Sequence, residues 1–363
     1  MHVDRWEQGS DFAYPEMSPA ASGAPRATWV PAGASFWHSG RHALRALIRA
    51  LVPKRVLFPS FYCQDVLDAA DEPGIQVLAY ADGPEDERLD MDALELRAGD
   101  LLVVTNNYGT RRASPVNAPD ALRDGVTLVE DHTHDPLSDW ARSSAADYAF
   151  ASLRKWLPLP DGGMLWSPAR RPGVEAPAFD PRAHAVSAAS TLDRLTGMLL
   201  KQHYLAGEPV RKDDYRARAI AGESAIGRGD PAPMSPMSRA LLDLLPAEAW
   251  REARAKNHQT FAASLGEPPH VRLITATRNG VAPYSAVLCF DNRESREAVR
   301  SALVKQNIYP AVLWPIDGAR APGIPEAHVD LARRVLCLHC DHRYGASDME
   351  RVARAVRTAV ESI

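Results

Sequence analysis

The chain predicts an α/β protein: a large domain with a mostly parallel mixed sheet and helices on both faces, then a smaller C-terminal α/β domain. Three observations predict it. Short apolar runs of strand length recur at residues 56–58, 76–80, 101–105, 126–129 and 148–151. Helical segments alternate with such runs, the arrangement that gives parallel strands joined by crossovers. A length of 363 residues favours a large and a small domain over a single one.

Residues 1–30 are polar and irregular, with Gly9, Ser10, Pro15, Pro19 and Pro25, and predict an N-terminal arm. The large domain is expected at 31–240. It starts with Ser39-Gly40-Arg41, after which Ala43, Leu44, Leu47, Ile48 and Leu51 keep helical spacing. A serine-glycine pair before a helix offers backbone N–H groups and the positive end of a helix dipole, so an anion suits it. The run 56–58 leads to a loop, Pro59 to Cys63, feeding a helix to about Ala70. The run 101–105 ends in Asn106-Asn107-Tyr108-Gly109. The run 126–129 delivers Asp131 at its carboxyl end, and 148–151 leads to Lys155. Asp161-Gly162-Gly163 reads as a tight turn before a strand at 163–166.

From 170 to 240 the pattern changes. A helix at 192–202 precedes a charged run at 211–218, then glycines and prolines to Pro236. Such a stretch inside a compact protein suggests a lid or an intersubunit loop, expected over about 206–236. The small domain, 245–363, is expected to hold helices at 247–265, 293–306 and 347–363. Its strands are expected at 285–290, 311–314 and 335–338.

Composition narrows the function. With 42 basic and 46 acidic residues the net charge is −4, which implies no strong field for nucleic acid. Cys63, Cys289, Cys337 and Cys340 are too few and scattered for a disulfide framework, which fits a reducing compartment. No apolar run approaches the roughly 18 residues of a membrane span, and the N-terminus lacks a signal-peptide pattern. A cytoplasmic protein without membrane or nucleic-acid partners is expected.

The stretch Glu130-Asp131-His132-Thr133-His134, with Ser152-Leu153-Arg154-Lys155-Trp156-Leu157-Pro158 and Asp161-Gly162-Gly163 after it, carries the chemistry. Its carboxylate and its lysine both fall at carboxyl ends of strands, where open α/β sheets place their sites. It resembles the core of fold-type-I enzymes using pyridoxal 5'-phosphate (PLP), and more narrowly the DegT/DnrJ aminotransferase family. The resemblance implies that fold, an aminotransferase activity with a small-molecule amino donor and acceptor, and a homodimer with shared active sites. Lys155 would then form the Schiff base as internal aldimine, and Asp131 would hold the pyridinium nitrogen. Ser39, Gly40 and Arg41 match a Ser-Gly-Thr phosphate cup, with Arg41 replacing the threonine. His134 matches a position contacting the phenolic oxygen. Ser152, three residues before the lysine, could donate its hydroxyl to the phosphate, whereas relatives more often place a serine five residues before, where this chain has Phe150. Phe61 and Tyr62 are both candidates to stack on the ring. Tyr108, and Arg343 in Asp341-His342-Arg343-Tyr344, are the expected substrate contacts; a guanidinium fork suits a carboxylate.

A Schiff-base lysine must lose its proton, so its pKa must fall from about 10.4 by burial or a nearby cation. Arg154 is adjacent, and Trp156 and Leu157 are expected to exclude water. Two rivals remain. The same residues serve a decarboxylase, an eliminating lyase or a carbon–carbon bond-forming enzyme. Asp131, His132 and His134 could instead hold a catalytic metal in a hydrolase. Cys337 and Cys340 form a lone Cys-x-x-Cys, a weak zinc signal without a second pair.

Overall fold

The computed structural model describes residues 5–9, 11–16, 27–116, 125–275 and 278–362. Ser10 and much of the expected arm therefore lie outside the described residues. The long sheet grows from the apolar runs. Strands β1 (Gln8–Gly9) and β2 (Ser35–Trp37) precede helix α1 (Gly40–Leu51). Then come β3 (Arg55–Pro59), β4 (Gln76–Tyr80), β5 (Asp100–Thr105) and β6 (Thr127–Asp131), a short helix α2 (Asp139–Ser143), β7 (Tyr148–Ala151) and β8 (Gly163–Trp166). Among the described residues a seven-stranded sheet has the order β2-β8-β7-β6-β5-β3-β4. The pairs β3/β4, β3/β5 and β5/β6 are parallel; β2/β8 and β7/β8 are antiparallel. All six residues of β5 are buried, as a strand covered on both faces requires, which is why it reads as an apolar run rather than an alternation. Register puts Thr105 opposite Asp131, so β6 ends on its carboxylate.

After β8 the chain forms α3 (Ala185–Leu205), α4 (Lys212–Ala225), α5 (Pro236–Leu242) and α6 (Ala247–Leu265). Next are β9 (Val271–Leu273), β10 (Ser285–Phe290), α7 (Arg293–Val304), β11 (Ile308–Tyr309), α8 (Glu326–Arg334), β12 (Val335–His339) and α9 (Ala346–Glu361). Strands β12, β10 and β9 make an antiparallel sheet, and β1 pairs with β11.

Two expectations change. The helix after Cys63 is a 3-10 turn over Gln64–Ala70. Residues 311–314 form no strand; Ala311 makes one bridge to Cys337. Within the segment 206–236, residues 212–225 form helix α4, packed on α3. Small residues explain this. A Cβ on Gly222 would lie 2.4 Å from Arg194 Cγ and 2.9 Å from the Ser190 carbonyl, and one on Gly197 would lie 3.1 Å from Ala219 N. The two backbones approach because glycine faces them from each side.

Packing divides the chain into two compact units. One comprises mainly Asp11–Leu51 and Tyr148–Ala247, the other mainly Val52–Asp147 and Glu248–Ile363. These bounds differ from a simple N-terminal and C-terminal division.

Candidate functional site

In the first unit the chemistry gathers where α1 begins. Ser39 caps the helix, its Oγ accepting from the His42 N–H at 3.2 Å. The first turn of α1 holds no acidic residue, so nothing of the helix's own answers the positive end of its dipole. Gly40 packs on Ser152: a Cβ there would lie 3.1 Å from the Ser152 Cβ. Gly163 lets β8 come closer still, since a Cβ would sit 2.3 Å from the Ser39 carbonyl. The predicted phosphate group of Ser39, Gly40 and Ser152 is thus brought together. Arg41 runs its side chain against Gly227, where a Cβ would lie 2.6 Å from Nε. Asp161 is buried and accepts from the Ser235 N–H and Oγ, both at 2.7 Å, and from the Ser238 hydroxyl. That anchors the start of α5 and gives the Asp-Gly-Gly turn its structural role.

Lys155 closes a 3-10 turn, Leu153–Lys155, directly after β7. Trp156 and Leu157 are buried as expected, but Lys155 is not: 42% of its side chain is exposed. Its Nζ lies 3.1 Å from Glu223 Oε1. The same carboxylate accepts from Arg154 at 2.6 and 2.9 Å and from Arg194 at 2.7 Å. Burial alone would raise the Glu223 carboxyl; Arg154, Lys155 and Arg194 together hold it well below the usual range. Burial is therefore not what would free the Lys155 amine, which leaves the nearby cation of the two expected causes. Glu223, at the end of a charged helix 68 residues away, went unread because its partners are distant in sequence.

His38 shares this unit. Its ring is buried, and burial, then the charges of His42, Arg154 and Arg194, push its pKa down to about 3, so it is neutral at working pH. It lines a cavity of about 400 Å³ with Asp161, Ser187, Thr191 and Leu195.

In the second unit Asp131 is 5% exposed. One oxygen accepts from the Thr133 N–H at 2.8 Å, the other from the Tyr62 hydroxyl. Burial pushes the carboxyl up, and the Thr133 and Tyr62 hydrogen bonds oppose it. A cation at that oxygen would settle the ionised form. Around it stands an aromatic group. Tyr108 stacks on His134 (5.9 Å between ring centroids) and on Trp314 (5.8 Å), and His134 stacks on Tyr284 (4.5 Å). Phe61 meets Tyr108 edge-on, and Tyr62 stacks on Phe58. His134 Nδ1 accepts from the Tyr108 N–H at 3.0 Å, so the neutral ring carries its proton on Nε2. Trp314 and Tyr284 were not read as site residues from the sequence; Trp314 ends the run expected as a strand, and Tyr284 directly precedes β10.

Two expected substrate contacts are otherwise occupied. Tyr108 is fully buried and its hydroxyl donates to the Leu313 carbonyl at 2.6 Å, so it offers a substrate nothing. Arg343 forks onto its own Asp341, at 2.7 and 2.8 Å, and that pairing holds the Asp341 carboxyl well below the usual range despite burial. The metal arrangement does not assemble. His132 pairs with Glu130 at 2.9 Å, Asp131 with Tyr62, and Asp135 with Arg251, so the side chains diverge. Among the described residues no group of three or more His, Cys, Asp and Glu could hold a metal ion.

No family model and no curated protein matches the chain. Solved structures do. DesI, solved in the presence of its TDP-sugar product, is 20% identical, with a TM-score of 0.63 over 91% of this chain and 81% of that one. Spr1654 from Streptococcus pneumoniae, in its PLP form, is 14% identical, with a TM-score of 0.63 over 98% of this chain and 99% of that one. A DegT DnrJ EryC1 StrS aminotransferase from Brucella abortus is 14% identical, with a TM-score of 0.58 over 90% and 85%. The chain therefore has the fold-type-I architecture of PLP-dependent transferases, the fold class its sequence predicts. At these identities the likeness establishes the fold and stops there.

Proposed function

We propose that the protein is a PLP-dependent aminotransferase acting on a small amino or keto substrate of sugar or other specialised metabolism. The observation that carries this is local. A capped helix start without an acid packs through Gly40 on Ser152, which stands three residues before a strand-end lysine. The donor set there fits a phosphate, and the buried Asp131 carboxylate fits a protonated ring nitrogen. The fold shared with DesI, solved in the presence of its TDP-sugar product, supports the substrate class.

When bound, PLP supplies an electron sink for the carbanion formed at the substrate α-carbon. The α1 N-terminus with Ser39, Gly40, Arg41 and Ser152 would hold the phosphate. Lys155 would hold the cofactor at its aldehyde carbon, and its free amine would carry a proton to and from the substrate carbon. Asp131, aimed by Thr133 and Tyr62, would keep the ring nitrogen protonated. His134 would present its Nε2–H to the phenolic oxygen. Arg343 could serve a substrate carboxylate only by exchanging it for Asp341. A cytoplasmic homodimer completes the proposal; no helix among the described residues is long and apolar enough to cross a membrane.

The test is spectroscopic and chemical. Purified protein with added PLP should show a near-visible band that a preferred amino donor bleaches, with the amine form of the cofactor appearing in equal amount. A band that persists while substrate loses carbon dioxide or a β-substituent would replace transfer with lyase or decarboxylase chemistry.

A further inference from the structure

We infer that Glu223 is the resting partner of Lys155, a carboxylate that positions the lysine and keeps it an ammonium until the amine is called for. The inference rests on the role proposed above for Lys155.

The geometry makes Lys155 the detachable member of a set of four. Glu223 Oε2 accepts from Arg154 (2.6 Å) and from Arg194 (2.7 Å). Oε1 accepts from Arg154 (2.9 Å) and, at the longest distance, from Lys155 (3.1 Å). The two arginine side chains are 5% and 6% exposed, whereas Lys155 is 42% exposed. Both guanidinium groups stay charged at any working pH, so only Lys155 can give up a proton. Arg194 is fixed further, by the Pro160 carbonyl at 2.8 Å and by Asp11 at 3.7 Å. Among the described residues Asp161 and the neutral His38 also face this cluster.

The consequence is a switch with a small reorganisation. As an ammonium, Lys155 is drawn to Glu223. When an Nζ–H bond breaks and the proton passes to water, the contact loses its charge and the side chain is released. The carboxylate left behind stays paired with Arg154 and Arg194, so no buried charge is stranded.

The test uses the cofactor-free full chain, so that it stands apart from any failure of the PLP reading. Lys155 is labelled competitively with acetic anhydride across pH, and its modification is read by mass spectrometry of the peptide. In Glu223→Gln the half-labelling pH should fall by about one unit, a roughly tenfold rise in reactivity below the midpoint. Glu223→Asp, which keeps the charge but withdraws it by one methylene, should fall between variant and wild type. If Glu223→Gln does not fold, a midpoint in Glu223→Asp below wild type is the supporting result. A midpoint unchanged from wild type in whichever variant folds would overturn the inference.

Discussion

Asp131 and Lys155 are prepared in opposite ways. Asp131 is sealed and aimed by two donors, so its carboxylate needs only a cation to remain charged. Removing that charge while keeping the shape, as in Asp131→Asn, should lower kcat by about 100-fold, the scale for losing one preorganised electrostatic partner. Steady-state kinetics checks this, and a loss below threefold would remove Asp131 from the mechanism. Buried histidines give a separate residue-scale prediction. Burial pushes His258 down to about 4, although its Nε2 keeps Thr275 Oγ1 at 2.9 Å. Its folded pKa lies below the unfolded value of about 6.5. The unfolded chain therefore takes up the proton first as pH falls, and stability present above about 6.5 is lost towards 4. Relative to His258→Gln, the wild type should lose up to about 1.4 kcal/mol per pH unit over that window. Parallel urea titrations of the two proteins measure the difference in slope.

At the scale of elements, most strands of the long sheet and the middle of α3 were legible, and α4 was not. Apolar runs such as 101–105 announce a strand because a parallel sheet buries both faces. The charged surface of α4 hides its helix, since its stability comes from backbone approach at Gly222 and Gly197 rather than an apolar stripe. The same geometry hid Glu223, whose role exists only once α4 lies on α3. Gly222→Ala tests this packing. Intrinsic propensity favours alanine by about 1 kcal/mol in a helix interior. A Cβ 2.4 Å from Arg194 Cγ and 2.9 Å from a carbonyl should outweigh that, with net destabilisation of about 1–3 kcal/mol. Calorimetry should show a lower Tm; a higher Tm would mean the helices are not in backbone contact.

For the whole molecule, the sequence was most informative where function and fold share a rule. Open α/β sheets place their sites at strand ends, and Asp131 does close β6 while Lys155 lies in the turn just after β7, as the order of strands predicts. Residues placed by long-range packing escaped notice. Trp314 joins the aromatic group from residues 311–314, which read as a strand, and Glu223 reaches Lys155 from 68 residues away. Arg343 and Tyr108 looked like substrate contacts because sequence reports residue type but not what already satisfies it. The central proposal, that Lys155 binds PLP, is tested most directly by an absorption spectrum of the purified protein with added cofactor, beside Lys155→Ala. A near-visible band in the wild type that is absent from the folded variant is the expected result. No band in the wild type, or an equal band in both, would contradict it.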